Sequence, residues 1–93
     1  MSSTEIIVYE GNTYNFTKQN DGFWYARNVN NNTYIAKVDI ERVSAFANPN
    51  DWIAGVIFPS GRRDILEFRV GSGTIRDVMV GVIKSYKERE LNR

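Results

Sequence analysis

The sequence predicts a single α+β domain over residues 1–93, in which an antiparallel β-meander of about six strands packs against one amphipathic C-terminal helix. Two observations predict this fold. Short segments rich in β-branched and aromatic residues alternate with turn-forming Asn, Gly, Asp and Pro, as in strands joined by hairpins. The last segment instead repeats its apolar residues with the 3.6-residue period of a helix.

The first part of the chain has the pattern of four strands joined by short turns. The turns carry Gly11, Asp21-Gly22 and Asn30-Asn31-Asn32, residue types that favour hairpins or tolerate the left-handed backbone region. Consecutive strands joined by such short turns pair with each other, which predicts an antiparallel meander. The predicted strands cover residues 5–9, 13–18, 23–29 and 33–38.

Residues 39–47 are predicted to form one or two helical turns, with Asp39 as the cap and Ile40 and Val43 on one face. The segment ends at a helix breaker that contains Pro49. Beyond it, two further strands are predicted over residues 52–58 and 64–70, joined by a turn at 59–62.

The final element is predicted to be a helix that begins after Thr74. Thr74 is a favourable N-cap, and Asp77 three residues later predicts a capping box. Lys84 and Lys87 lie near the C-terminal end, where cations suit the helix dipole. The apolar face comprises Ile75, Val78, Met79, Val82, Ile83 and Tyr86.

Composition argues against an enzyme. The chain has no histidine and no cysteine. It therefore lacks the commonest general base, the commonest metal ligand and any disulfide. Its serine and threonine hydroxyls have no histidine to activate them. We expect a non-enzymatic protein without a cofactor or a metal site.

The charge balance and the apolar pattern limit the class of partner. A net charge of +1 does not by itself predict a partner, and it disfavours nucleic acid, because phosphate contacts dominate that affinity. The N-terminal residues lack a secretion signal, and no apolar run has the length of a membrane span. The sequence therefore predicts a cytoplasmic protein with no membrane partner.

One helix covers one face of a six-stranded sheet, so the other face meets water or a partner. Alternation places the aromatic residues of Phe23-Trp24-Tyr25 on both faces. Ile35 and Ile65 are also predicted opposite the main apolar set of their strands. Alternatively, the sheet curves around the helix and Trp24 is a core residue. Because Trp, Tyr and Arg are enriched in binding hot spots, the candidate partner-binding residues are Trp24, Tyr25, Tyr34, Arg62 and Arg63.

The leading hypothesis is a small protein-binding module, an inhibitor or adaptor that acts on another protein by surface complementarity. In its size and Asn-rich composition the chain resembles small proteins that phages use against host machinery, including inhibitors of bacterial defence. That resemblance implies a viral anti-defence role. An uncovered sheet face or edge also favours a homodimer.

The alternative hypothesis is an anion- or nucleotide-binding protein. Gly71, Ser72 and Gly73 precede the helix start at Thr74, and a helix N-terminus attracts anions. Arg76, with the arginines at positions 62 and 63, would add positive charge. The same residues equally suit an ordinary strand-to-helix turn. A single-stranded nucleic-acid binder, with sheet aromatics stacked on bases, is a further variant that the near-neutral charge disfavours.

Overall fold

A computed structural model describes residues 3–42, 52–68 and 74–91 of the chain. Neither helical segment within these ranges has the length and hydrophobicity needed to cross a bilayer. The helix α1 spans Ile75–Tyr86 and continues into a π-helical turn at Lys87–Leu91. The strands are β1 Ser3–Tyr9, β2 Asn12–Lys18, β3 Trp24–Asn28, β4 Thr33–Arg42, β5 Trp52–Ile57 and β6 Arg63–Phe68.

The six strands form one sheet in the order β1-β2-β3-β4-β5-β6, and every neighbouring pair is antiparallel. This meander with a C-terminal helix confirms the predicted α+β fold.

The prediction of helical turns from Asp39 is wrong for residues 39–42, because β4 continues to Arg42. Ile40 faces the core there while Glu41 faces away, so this segment also fits the two-residue period of a strand. Residues 43–47 of the predicted helical turns and residues 69–70 of the last predicted strand lie outside the described residues.

Glu10 and Gly11 form the tight turn between β1 and β2. Both have positive φ angles, 48° and 82°, and Tyr9 pairs directly with Asn12. Two consecutive left-handed residues are the signature of the two-residue hairpin turn whose twist matches the flanking strands. This turn therefore sets the register of the first hairpin.

Asparagine side chains build the turn between β3 and β4. The side-chain oxygen of Asn28 accepts the Asn30 N–H at 2.9 Å, and that of Asn30 accepts the Thr13 N–H at 2.7 Å. Asn32 adopts a left-handed φ of 56°, which asparagine tolerates better than most residues. The Asn-rich composition of this segment thus has a structural cause.

The sheet curves around the helix. Near the N-terminus of α1, Arg76 donates to the Glu5 carboxylate at 3.0 Å and to the Ile6 carbonyl at 2.9 Å on β1. Beyond the other end of α1, Arg89 donates to Asp64 on β6 at 2.8 Å. The helix backbone also approaches both edge strands, β1 and β6, more closely than it approaches β2 and β3, so the sheet is concave towards the helix.

Side-chain size in the core follows this curvature. The helix backbone comes closest to β1, β4, β5 and β6. Small residues, including Ala36 and Ala54, allow this approach on β4 and β5, whereas Tyr14, Phe16 and Trp24 fill the space on β2 and β3. Alternating large and small residues in this way packs a core without voids.

A β-bulge in β4 moves Ile35 into the core. Ala26 pairs with Ala36 but Arg27 pairs with Tyr34, so Ile35 is the extra residue. Ile35 is fully buried in the core cluster, and the prediction that it lies opposite the apolar face is wrong. Strict alternation along β4 misplaces it because alternation does not register an inserted residue.

We predict that Ile35→Ala destabilises the domain by about 3 kcal/mol, because it leaves a cavity in a packed core. Tyr34→Ala, the matched control one residue away on the opposite face, should cost about 1 kcal/mol or less. Urea denaturation followed by circular dichroism measures both values. Equal losses, or the reverse order, would contradict the bulge.

Candidate functional site

The helix leaves one face of the sheet uncovered, and we call it the outer face. Strand alternation and cross-strand register assign residues to it. It carries Thr4, Ile6 and Val8 of β1, Thr13, Asn15 and Thr17 of β2, Tyr25 and Arg27 of β3, Tyr34, Lys37, Asp39 and Glu41 of β4, Ile53, Gly55 and Ile57 of β5, and Arg63, Ile65 and Glu67 of β6.

A shallow groove of about 470 Å³ lies across β2, β3 and β4 on this face. Its walls are two phenol rings, a guanidinium, amides and a hydroxyl. We call it the tyrosine groove, and its lining residues are Asn15, Thr17, Gln19, Tyr25, Ala26, Arg27 and Tyr34.

Tyr25 is held in place by its neighbours. Its hydroxyl donates to one Asp21 carboxylate oxygen at 2.5 Å, and the other oxygen accepts the Phe23 N–H at 2.9 Å. The Lys37 ammonium lies 4.3 Å from the Phe23 ring centroid and 5.8 Å from that of Tyr25, within range of a cation–π attraction. The ring therefore keeps one orientation before any partner arrives.

The same hydrogen bond sets the protonation states. The bond from Tyr25, followed by that from the Phe23 N–H, lowers the pKa of Asp21, because both stabilise its ionised form. The Asp21 carboxylate in turn raises the pKa of the Tyr25 phenol. At neutral pH the pair is therefore an ionised acceptor and a protonated donor.

Arg27 is also anchored. Its Nη1 donates to the backbone carbonyl and the side-chain oxygen of Asn32, both at 3.0 Å. A guanidinium has five N–H donors, and these two bonds use only Nη1. Among the described residues, the Nε and Nη2 donors make no hydrogen bond, so they are available to a ligand in the groove.

Tyr34 forms the opposite wall of the groove. Burial of its half-exposed side chain raises the pKa of its phenol, which keeps the hydroxyl protonated at neutral pH. Within the described part of the chain, that hydroxyl has no hydrogen-bond partner. A bound molecule can supply one.

The structure separates the predicted partner-binding residues. It brings Tyr25 and Tyr34 together at the groove. Trp24 is 7% exposed and lies in the core. This is the place expected for it if the sheet curves around the helix. Arg63 is on the outer face, paired with Ile57, so it lies two strands from Lys37. Arg62 is in the β5–β6 turn, where its N–H donates to the Ser60 hydroxyl at 3.3 Å, so neither arginine lines the groove.

The sequence analysis missed the polar residues of the groove. Arg27 lies two residues after Tyr25 on the same strand, and Asn15 and Thr17 pair directly with Arg27 and Tyr25. Strand parity puts Arg27 on the face of Tyr25, a signal present in the sequence. Placing Asn15 and Thr17 in the groove requires the cross-strand register, which the sequence alone does not provide.

The predicted anion site has its own carboxylate at the helix start. Thr74 and Asp77 form a capping box, in which Asp77 accepts the Thr74 N–H at 3.3 Å. Arg76 donates to Glu5 and to the Ile6 carbonyl on β1. Residues 71–73, the glycine-rich part of the prediction, lie outside the described residues. The described part of this site thus directs its charges to intramolecular partners.

Within residues 3–42, 52–68 and 74–91, no cluster of three or more carboxylates could hold a metal ion. No protein-family model, curated protein or solved structure matches this chain significantly.

We predict that Tyr25→Phe raises the pKa of Asp21 towards its usual value, because the largest contribution to the lowering is the tyrosine hydrogen bond. The lowered pKa stabilises the fold at pH above the unfolded-state pKa of Asp21. That contribution is lost as pH falls through the folded-state pKa, and Tyr25→Phe should diminish it. A carbon-detected NMR titration of the side-chain carboxyl measures the shift.

Tyr34→Phe is the control, since Tyr34 is not bonded to Asp21. It should leave the Asp21 titration unchanged. An Asp21 titration that is the same in Tyr25→Phe and in the wild type would contradict the pairing.

Proposed function

We propose that this chain is a small protein-binding module, an inhibitor or adaptor, that holds a loop of another protein in the tyrosine groove. The observation that carries the proposal is that Tyr25 and Tyr34 line one groove on a sheet face that α1 leaves uncovered. Tyrosine and arginine supply a large share of binding energy at protein interfaces.

The order of the groove before binding supports this proposal. Immobilising a flexible side chain on association costs about 0.5–1.5 kcal/mol. The ring of Tyr25 already bonds to Asp21, and Arg27 already bonds to Asn32. Two of the residues that would contact a partner therefore lose little freedom when it binds.

The lining chemistry indicates what the partner presents. The groove offers donors from the Arg27 guanidinium, the Tyr34 hydroxyl and the amides of Asn15 and Gln19, and its described lining includes no carboxylate. The complement is a loop rich in acceptors, with backbone carbonyls and an Asp or Glu side chain. An aliphatic stem between the two phenol rings would complete the contact.

Charge favours a protein over a nucleic acid on this face. The outer face carries three basic and three acidic residues and has no excess positive charge to attract a phosphate backbone. They are Arg27, Lys37 and Arg63, and Asp39, Glu41 and Glu67. The nucleotide alternative at the helix start has less support, because Asp77 and Glu5 already engage the groups it would use.

We predict that a benzophenone amino acid placed at Gln19, exposed at the rim of the groove, captures a protein other than this chain when irradiated in extract of the source organism. The same group at Lys84, exposed on α1, is the matched control and should capture none. Gel shift and peptide mass spectrometry identify the adduct. An adduct at Lys84 alone, no adduct at Gln19, or an adduct only with this chain would refute the proposal.

We further predict that Tyr34→Ala weakens binding of the captured protein about 30-fold, the loss typical of a hot-spot residue. Tyr34→Phe keeps the ring and should weaken binding only a few-fold. Calorimetry with the purified partner measures both affinities, and circular dichroism verifies that both variants fold. Equal affinity of Tyr34→Ala and the wild type would show that the partner binds elsewhere.

A further inference from the structure

The β4–β6 half of the outer face carries opposite charges at opposite ends of its strands. Cross-strand register defines two rows, four residues apart along each strand and so separated by about 14 Å. Each row has an isoleucine at its centre. The rows are Lys37, Ile57 and Arg63 at the basic end, and Glu41, Ile53 and Glu67 at the acidic end.

This arrangement is complementary to itself. A two-fold axis that lies in the plane of contact, perpendicular to the strands, reverses the strand direction but keeps each strand opposite its own copy. The basic row of one molecule then faces the acidic row of the other. Lys37 faces Glu41 of the second copy, Ile57 faces Ile53, and symmetry repeats both contacts.

The row on the axis consists of Asp39, Gly55 and Ile65. The axis places the two Asp39 carboxylates opposite each other, one repulsive pair against the two attractive Lys37–Glu41 pairs. The other two residues of the row provide a hollow and a protruding side chain. Ile65 is 72% exposed, the most exposed large apolar side chain among the described residues. Its direct cross-strand neighbour is Gly55, where an added β-carbon would meet no atom within 4 Å. The Ile65 side chains of two facing copies can therefore pack beside the open spaces above Gly55.

We propose that a second copy of this chain docks on the β4–β6 half of the outer face and forms a two-fold symmetric dimer. The curvature of the sheet around α1 makes the outer face convex, which confines the contact to this half and leaves the tyrosine groove open. So small a contact belongs below about 1,200 Å² of total buried area, where complexes are weak. Interfaces of about 1,600 Å² range from micromolar to picomolar affinity, so we expect this contact to have a dissociation constant on the order of 10 μM. The dimer does not depend on the proposed partner of the groove.

The test uses two charge reversals in the full chain, Lys37→Glu and Glu41→Lys. Each variant alone places like charges opposite each other twice, and its self-association should weaken at least about tenfold. A mixture of the two variants restores both attractive pairs, as does the double variant K37E/E41K. The double variant should therefore dimerise about as tightly as the wild type, and the mixture more tightly than either single variant alone. Sedimentation equilibrium over about 5–200 μM, a range that brackets the expected dissociation constant, measures all four.

Lys84→Glu, on the exposed face of α1, carries the same charge change as K37E and is the control that should dimerise like the wild type. Circular dichroism verifies the fold of every variant. A monomeric wild type throughout this range would overturn the proposal. So would single variants that dimerise as the wild type does, or a mixture that associates no more tightly than the single variants do. None of these results affects the Gln19 adduct, so the dimer and the groove succeed or fail separately.

Discussion

The structure depends on one constraint, which is that a single helix of 12 residues has to cover one face of a six-stranded sheet. The sheet meets this constraint by curving, so that the helix backbone lies closer to both edge strands than to β2 and β3. The ends of the helical segment are joined to opposite edges by the ion pairs from Arg76 to Glu5 and from Arg89 to Asp64. Exposed ion pairs of this kind contribute little free energy each, so packing maintains the curvature and the ion pairs fix its alignment.

Curvature also decides what each aromatic residue does. On the concave side, Tyr14, Phe16 and Trp24 lie where the helix is farthest from the strands, and their bulk fills that space. On the convex side, the helix does not cover Tyr25 and Tyr34, and local polar bonds together with the Lys37 ammonium near the Tyr25 ring order the groove instead. A small domain buries a limited share of its surface. Ordering the remaining aromatics by hydrogen bonds keeps them exposed without making them flexible.

The sequence predicted the fold well, because hairpin turns and periodicity are local signals. Gly11 and Asp77 stand where a tight turn and a capping box require them. Prediction from the sequence failed where strand pairing in the folded protein overrides a local pattern. Asp39 looks like a helix cap, yet it pairs with Gly55 in the sheet, and Ile35 turns inwards at a bulge that no local signal marks. The groove was half predictable, since its two tyrosines lie on strands that were identified, whereas Asn15 and Thr17 join it only through cross-strand register.

The two proposed surfaces divide the outer face along β4, and this division has a physical reason. Lys37 stands at the boundary, with its ammonium over the Phe23 ring on one side and its strand neighbour Ile57 on the other. On the groove side, polar groups are bonded within the molecule and are thus prepared for a partner with acceptors. On the β4–β6 side, opposite charges are separated along the strands, and a surface with the reverse order attracts both ends. A second copy rotated by the two-fold axis is the simplest such surface, because it carries the same charges in the reverse direction.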